Sequence, residues 1–168
     1  MAITFSPKIG NLIWQHFKKV KSAPDGSDND AHTAPKYTLK IPNYGGVVKK
    51  DNTYSVAKMT IDVALDLSKT WVIKGRESDK LLAHEKRHWM MDIIIAYEME
   101  RAILNLSSTD VKTLKQQIQD EFDWHRTDRE KYLADKYDSE TGHGTEPIAQ
   151  SQWNTKVDQW YSDKSISE

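Results

Sequence analysis

The chain of 168 residues contains no cysteine. A disulfide framework, a thiolate metal site and a cysteine nucleophile are therefore excluded at once. Also missing is any apolar stretch near the roughly 20 residues that cross a bilayer, so no membrane span is expected. No single sign of charge dominates: 24 Lys and Arg stand against 25 Asp and Glu, and the basic residues are scattered. Without a basic field or patch, neither nucleic acid nor anionic lipid is an expected partner. The opening MAITFSPKIGNLIW has no basic start followed by an apolar run, so no signal peptide is expected in it. That leaves a cytoplasmic protein, or one exported by a leader outside this chain.

What is present fits a single soluble domain over residues 1–168, with 38% apolar and 29% charged residues. Residues 1–75 read mainly as strands and 76–168 mainly as helices. In KMTIDVALDL, Met59, Ile61, Val63, Leu65 and Leu67 alternate with polar or small residues, the period of a strand with one buried face. Tyr37, Leu39 and Ile41 alternate likewise before the turn-forming PNYGG, and Thr70 to Ile73 forms a third short strand. The polar stretch 22–35 reads as a surface loop. Its Asp25, Asp28 and Asp30 do not match the spacing of an EF-hand calcium loop.

From Ser78, a plausible N-cap, the period changes to 3.6. Leu81, His84, His88, Met91, Ile95, Met99, Ala102 and Leu106 form one stripe, apolar except for its two histidines. Ser107 to Thr109 caps a second helix with an inward stripe of Val111, Leu114, Ile118, Phe122 and His125, then Tyr132 and Leu133. The short connection makes these two helices antiparallel neighbours. After an irregular YDSETGHGTEP, Trp153, Val157, Trp160 and Tyr161 mark a short third helix.

The chemistry concentrates in HEKRH, residues 84–88. Four residues advance a helix by about 400°, so His84 and His88 lie on one face and their rings can converge on one ion. Glu85 sits beside that face, within reach of a metal-bound water. This is the physical content of H-E-x-x-H: two imidazoles hold Zn²⁺ and the glutamate accepts a proton from the polarised water. At this chain's own His and Glu frequencies the pattern arises by chance about once in a hundred sequences. Two unpartnered imidazoles on an inward stripe would be unfavourable, and a metal satisfies both.

A catalytic zinc needs a third protein ligand and an open fourth position. Met91 and Ile94 exclude the extended metzincin pattern. The candidates are Glu121 and His125 on the second helix, and His143 in the glycine-flanked TGHG loop. Tyr137 is a candidate hydrogen-bond donor to a developing oxyanion, or an aromatic closing a helix. Asp138 is a candidate acceptor for the free ring nitrogen of a ligating histidine, or a loop-capping residue. Trp89 and the methionines read as core.

LLAHEKRHW, followed 50 residues later by YDSETGHG and then QSQW, resembles a bacterial family of predicted secreted zinc-dependent proteases, itself a domain-of-unknown-function family. Trp14 and Phe17, Ala31 and Thr33, and SKTWV at 68–72 resemble that family's strand region. The resemblance implies a zinc metallopeptidase with His84 and His88 as ligands, Glu85 as general base and His143 as third ligand. It also implies a polypeptide substrate and a secreted or periplasmic location. The expected fold is α+β and zincin-like: a small antiparallel sheet packed on the long HExxH helix and its antiparallel helical partner. In such a fold the sheet edge beside the cleft holds an extended peptide by strand addition. The competing expectation is a catalytically silent, zinc-stabilised binding module on the same fold.

Overall fold

In the computed structural model, which describes residues 2–167, the strand half and the helix half meet on one long helix. Nine short strands come first, except the last: β1 (Ala2–Ser6), β2 (Lys18–Val20), β3 (Ala31–His32), β4 (Pro35–Lys40), β5 (Val47–Lys50), β6 (Thr53–Val56), β7 (Thr60–Leu65), β8 (Trp71–Ile73) and β9 (Ser107–Ser108). The helices are α1 (Asp79–Leu104), α2 (Val111–Trp124), α3 (Glu130–Thr141) and α4 (Pro147–Asp163). The fold is mixed α+β. No described helix is long and apolar enough to cross a membrane.

The strands form three small sheets, ordered β1-β7-β4, β2-β8-β3 and β5-β6-β9. The first two are mixed, with β1 parallel to β7 and β2 parallel to β8, where one antiparallel sheet was expected. Strands of three to five residues carry too little periodicity to announce themselves, and both parallel partners come from far along the chain. The period-two reading holds where it was strongest. Ile61, Val63 and Leu65 on β7 are buried, while Leu67 falls past the strand end and is exposed. The expected loop 22–35 is only partly a loop: Ala31, Thr33 and Ala34 are buried, because β3 draws that stretch against β8.

Helix α1 is capped as the sequence requires, with the Ser78 side chain accepting the Leu81 amide at 3.1 Å. Its middle is buried all round rather than on one stripe, and it divides the core in two. Trp89, Ile93, Ala96, Met99 and Ile103 pack with the sheet residues Ile61, Val63 and Val72 and with Leu114 and Ile118 of α2. Met90, Met91, Ile94 and Ile95 pack with Leu133 and Tyr137 of α3 and Trp153, Val157 and Trp160 of α4. Helix α2 is capped by Asp110, whose carboxylate accepts the Thr113 amide at 2.7 Å, and not by Ser107 to Thr109, two of which pair with β6 instead. Helix α4 is 17 residues long, longer than expected, and opens with Pro147, whose fixed φ suits a first helical turn.

Helices α2 and α3 run on through a π-helical turn at His125–Arg129. A regular α-helix would turn Tyr132 inward after Ile118 and His125. The π turn absorbs one extra residue, so Tyr132 is exposed and Leu133 is buried at 1%. Everything downstream, Tyr137, Asp138 and Thr141 included, inherits that shifted register. Leu133→Ala is expected to lower stability by about 2–5 kcal/mol in denaturant unfolding, and Tyr132→Ala by less than about 1 kcal/mol. The reverse ranking would mean that the helix is regular through this segment.

Candidate metal centre

The two histidines of α1 turn towards α3, and Asp138 meets them there. Its Oδ1 lies 2.9 Å from His84 Nε2 and 2.9 Å from His88 Nε2, and the two ring nitrogens lie 3.2 Å apart. These are the described histidine and acidic residues grouped so as to hold a metal ion. The triangle has the right size. A tetrahedral ion bound at about 2.0–2.1 Å sets its ligand atoms about 3.3 Å apart. Two imidazole nitrogens facing one carboxylate oxygen are also the donor set that zinc accepts once both rings are neutral. The residues present therefore fit a divalent metal; two histidines and one carboxylate also suit Fe²⁺.

The His84 ring is held from behind. His84 Nδ1 meets Gln150 Oε1 of α4 at 2.9 Å. The Tyr137 ring stacks on His84 at 4.4 Å and 13°. The turn after α3 closes on the same imidazole: Gly142, His143 and Gly144 all have left-handed backbones, at φ 54°, 51° and 80°. A Cβ on Gly144 would lie 3.1 Å from the His84 ring. That crowding, together with a φ of 80°, favours glycine at this position.

Charge is distributed unequally over the cluster. Burial opposes charging of His88, but the Asp138 carboxylate outweighs it and raises the imidazole's pKa to about 9. Burial likewise pushes Asp138 up, and the two histidines overcome it, holding the carboxyl far below its usual range. Asp92, one turn beyond His88, is driven the other way, first by burial and then by Glu130. Asp138 is thus the ionised carboxylate that His88 faces directly.

The cluster opens into a cleft of about 200 Å³. Glu85 lines it, 2% exposed, with Oε2 accepting the Thr33 hydroxyl at 2.6 Å across from β3. One carboxylate oxygen is thereby held by a hydroxyl donor. His32, Asp28 and Asp30 form the facing wall. Burial holds His32 below the ordinary histidine pKa.

Of the residues singled out from sequence, the fold brings His84, Glu85 and His88 together. His143 lies on the rim, half exposed, its Nδ1 3.6 Å from Asp138 Oδ2 and outside the converging triad. The third residue of the converging group is Asp138, expected behind a ring and found facing both of them. The reason is that YDSET is the last turn of α3, not an irregular loop. The oxyanion role considered for Tyr137 is not met: the side chain is fully buried, and its hydroxyl contacts Gln150 and the His84 carbonyl rather than the cleft. His125 is a core residue bonded through Nδ1 to the Glu121 carbonyl at 2.9 Å, and the Glu121 carboxylate lies beside it, away from the cluster. Thr33 and Gln150 carry no motif of their own. Thr33 was visible only as part of the A-x-T resemblance, and Gln150 only within QSQW.

Two measurements test this geometry. Asp138→Ala is expected to lower zinc affinity at least 100-fold, and His143→Ala less than about tenfold. Chelator competition reads both, and the opposite order would return the third position to His143. The raised pKa of His88 also sets a pH dependence. Below about pH 9 the metal-free protein holds a proton on His88 that a metal must displace. Zinc affinity should therefore rise about tenfold per pH unit between roughly 6.5 and 9 and level off above. In the metal-free fold the sign is opposite. The charged His88–Asp138 pair stabilises fully below the unfolded pKa, about 6.5, and that contribution is lost as pH rises through about 9. A flat affinity profile would mean that His88 is not a ligand.

Compared with known proteins, the chain matches no family model, no curated protein and no solved structure, and the assignment of this centre rests on its geometry.

Proposed function

We infer that the protein is a zinc-dependent hydrolase of peptide bonds, with His84, His88 and Asp138 as metal ligands and Glu85 as general base. The observation that carries this reading is the convergence of three donor atoms at 2.9–3.2 Å beside a carboxylate held on the cleft wall. A bound zinc supplies a polarised water and a Lewis acid for a carbonyl oxygen. The protein's own groups do the rest.

Glu85 follows His84 directly on α1, so it is displaced about 100° around the helix from the ligand and faces the cleft instead of the ion. The Thr33 hydroxyl occupies Oε2, which leaves Oε1 to accept a proton from the attacking water and return it to the leaving amine. His84, His88 and Asp138 would hold the ion beside the cleft that Glu85 lines, and with three protein ligands a zinc would keep a position for water or substrate. His143 stands at the mouth of that cleft, placed to touch a substrate. Its left-handed backbone has a steric penalty of roughly 1 kcal/mol that a glycine would not bear. The resemblance of LLAHEKRHW and YDSETGHG to predicted zinc proteases favours the same chemistry and a polypeptide substrate.

Zinc content of protein purified without added metal, followed by a peptide-library cleavage assay, tests the reading. The expected outcome is about one zinc per chain, with cleavage reduced about 10²–10⁴-fold in Glu85→Gln while the zinc is retained. Zinc retention with no cleavage by either protein would identify a silent, metal-stabilised binding module. Absence of zinc would remove the metal centre altogether.

A further inference from the structure

Gln150 lies on α4, a helix that supplies no ligand, yet it is bonded to the ligand ring itself. We propose that Tyr137 and Gln150 form a directed relay that fixes the tautomer of His84, so that its Nε2 is presented bare to the metal. The proposal rests on the metal-centre reading above.

The direction of each bond follows from the first. The main-chain carbonyl of His84 can only accept, and the Tyr137 hydroxyl, 3.4 Å away, donates to it. Having spent its one proton there, the Tyr137 oxygen accepts from Gln150 Nε2 at 2.6 Å. The second Nε2 proton goes to Asn154 Oδ1 at 2.9 Å. With the amide nitrogen turned to those two acceptors, Gln150 Oε1 must face His84 Nδ1, at 2.9 Å. An amide oxygen only accepts, so Nδ1 carries the ring proton. In a neutral imidazole Nε2 then has its lone pair free: without metal it can accept the His88 Nε2–H at 3.2 Å, and a metal seated between it and Asp138 would take that lone pair. The backbone of His84 thus sets the state of its own side chain through two neighbours.

This arrangement assigns Tyr137 a use other than oxyanion binding. Gln150 and Tyr137 are positioning residues, acting on a ligand rather than on substrate. A neutral amide orients the ring without adding a negative charge beside Asp138, which a carboxylate in that place would do.

The test compares wild type, Gln150→Leu, Gln150→Glu, Tyr137→Phe and the Tyr137→Phe/Gln150→Glu double variant. Two quantities are read: zinc affinity by chelator competition, and the His84 Nδ1–H resonance of the zinc-loaded protein by ¹⁵N-edited NMR. Thermal melting of the metal-free forms monitors folding. Gln150→Leu is expected to weaken zinc binding about 10–100-fold and to lose the protected Nδ1–H signal. Gln150→Glu should restore both, because a carboxylate accepts from His84 and from Tyr137 alike. Tyr137→Phe removes one of the two acceptors that hold the Gln150 amide, leaving Asn154 Oδ1 alone, and should weaken zinc in the Gln150 background only. Wild-type affinity or an unchanged Nδ1–H signal in Gln150→Leu would overturn the relay. So would an equal effect of Tyr137→Phe in both backgrounds, which remains measurable if Gln150→Leu fails to fold. Failure of the wild type to bind zinc would instead remove the metal centre, and the relay with it.

Discussion

One carboxylate oxygen, Asp138 Oδ1, stands at the same 2.9 Å from two imidazole nitrogens that are themselves 3.2 Å apart. Two largely buried imidazoles this close can share at most one proton between their facing nitrogens, and the carboxylate gives both of them a partner. The rest of the structure can be understood as what delivers that partner. Helix α1 brings the rings to one face through a four-residue step. Helix α3 must then arrive beside α1 with position 138, not 137 or 139, in front of them. The π turn at His125–Arg129 sets that register, and the packing of Leu133, Tyr137 and Thr141 holds it. A centre of this kind is therefore only as well defined as the helix packing behind it.

The two carboxylates nearest the cluster have been separated by their surroundings. Asp138 faces two imidazoles and is held ionised. Glu85 faces a hydroxyl donor and the cleft. Neighbouring acids given different environments can hold different roles, one binding and one transferring protons. Here the division follows from position on a helix: adjacent residues on α1 point about 100° apart, and only one of them looks at α3.

Much of this was legible in the chain. HEKRH announced its own face because a polar pair interrupting an apolar stripe at a four-residue step is improbable unless something joins the pair. Ser78 and the β7 alternation were equally plain, since capping and period two are local properties. Asp138 was read as part of an irregular segment, because Gly142 and Gly144 biased YDSET towards loop, whereas it stands in the last turn of α3 beside both histidines. Tyr132 was turned inward because a 3.6 period was continued through a segment that departs from it. Nothing in HRTDR marks a π turn, whose stability comes from tertiary packing on both sides. Thr33, Gln150 and the parallel partners of β7 and β8 are contacts across long sequence separations, for which no local pattern exists. The fold class could be read locally; the mixed sheets and the approach of Asp138 to the two histidines could not.

The all-round burial of α1 has one more consequence. Its residues belong to both cores, alternating between the sheet side and the helical side along the same few turns. Neither side can come apart without stripping one face of that helix, so the molecule has no half that could melt while the other stays intact. Opening should be an all-or-none event, with the innermost amides of Ile93–Ala96 exchanging with solvent only when the whole chain lets go.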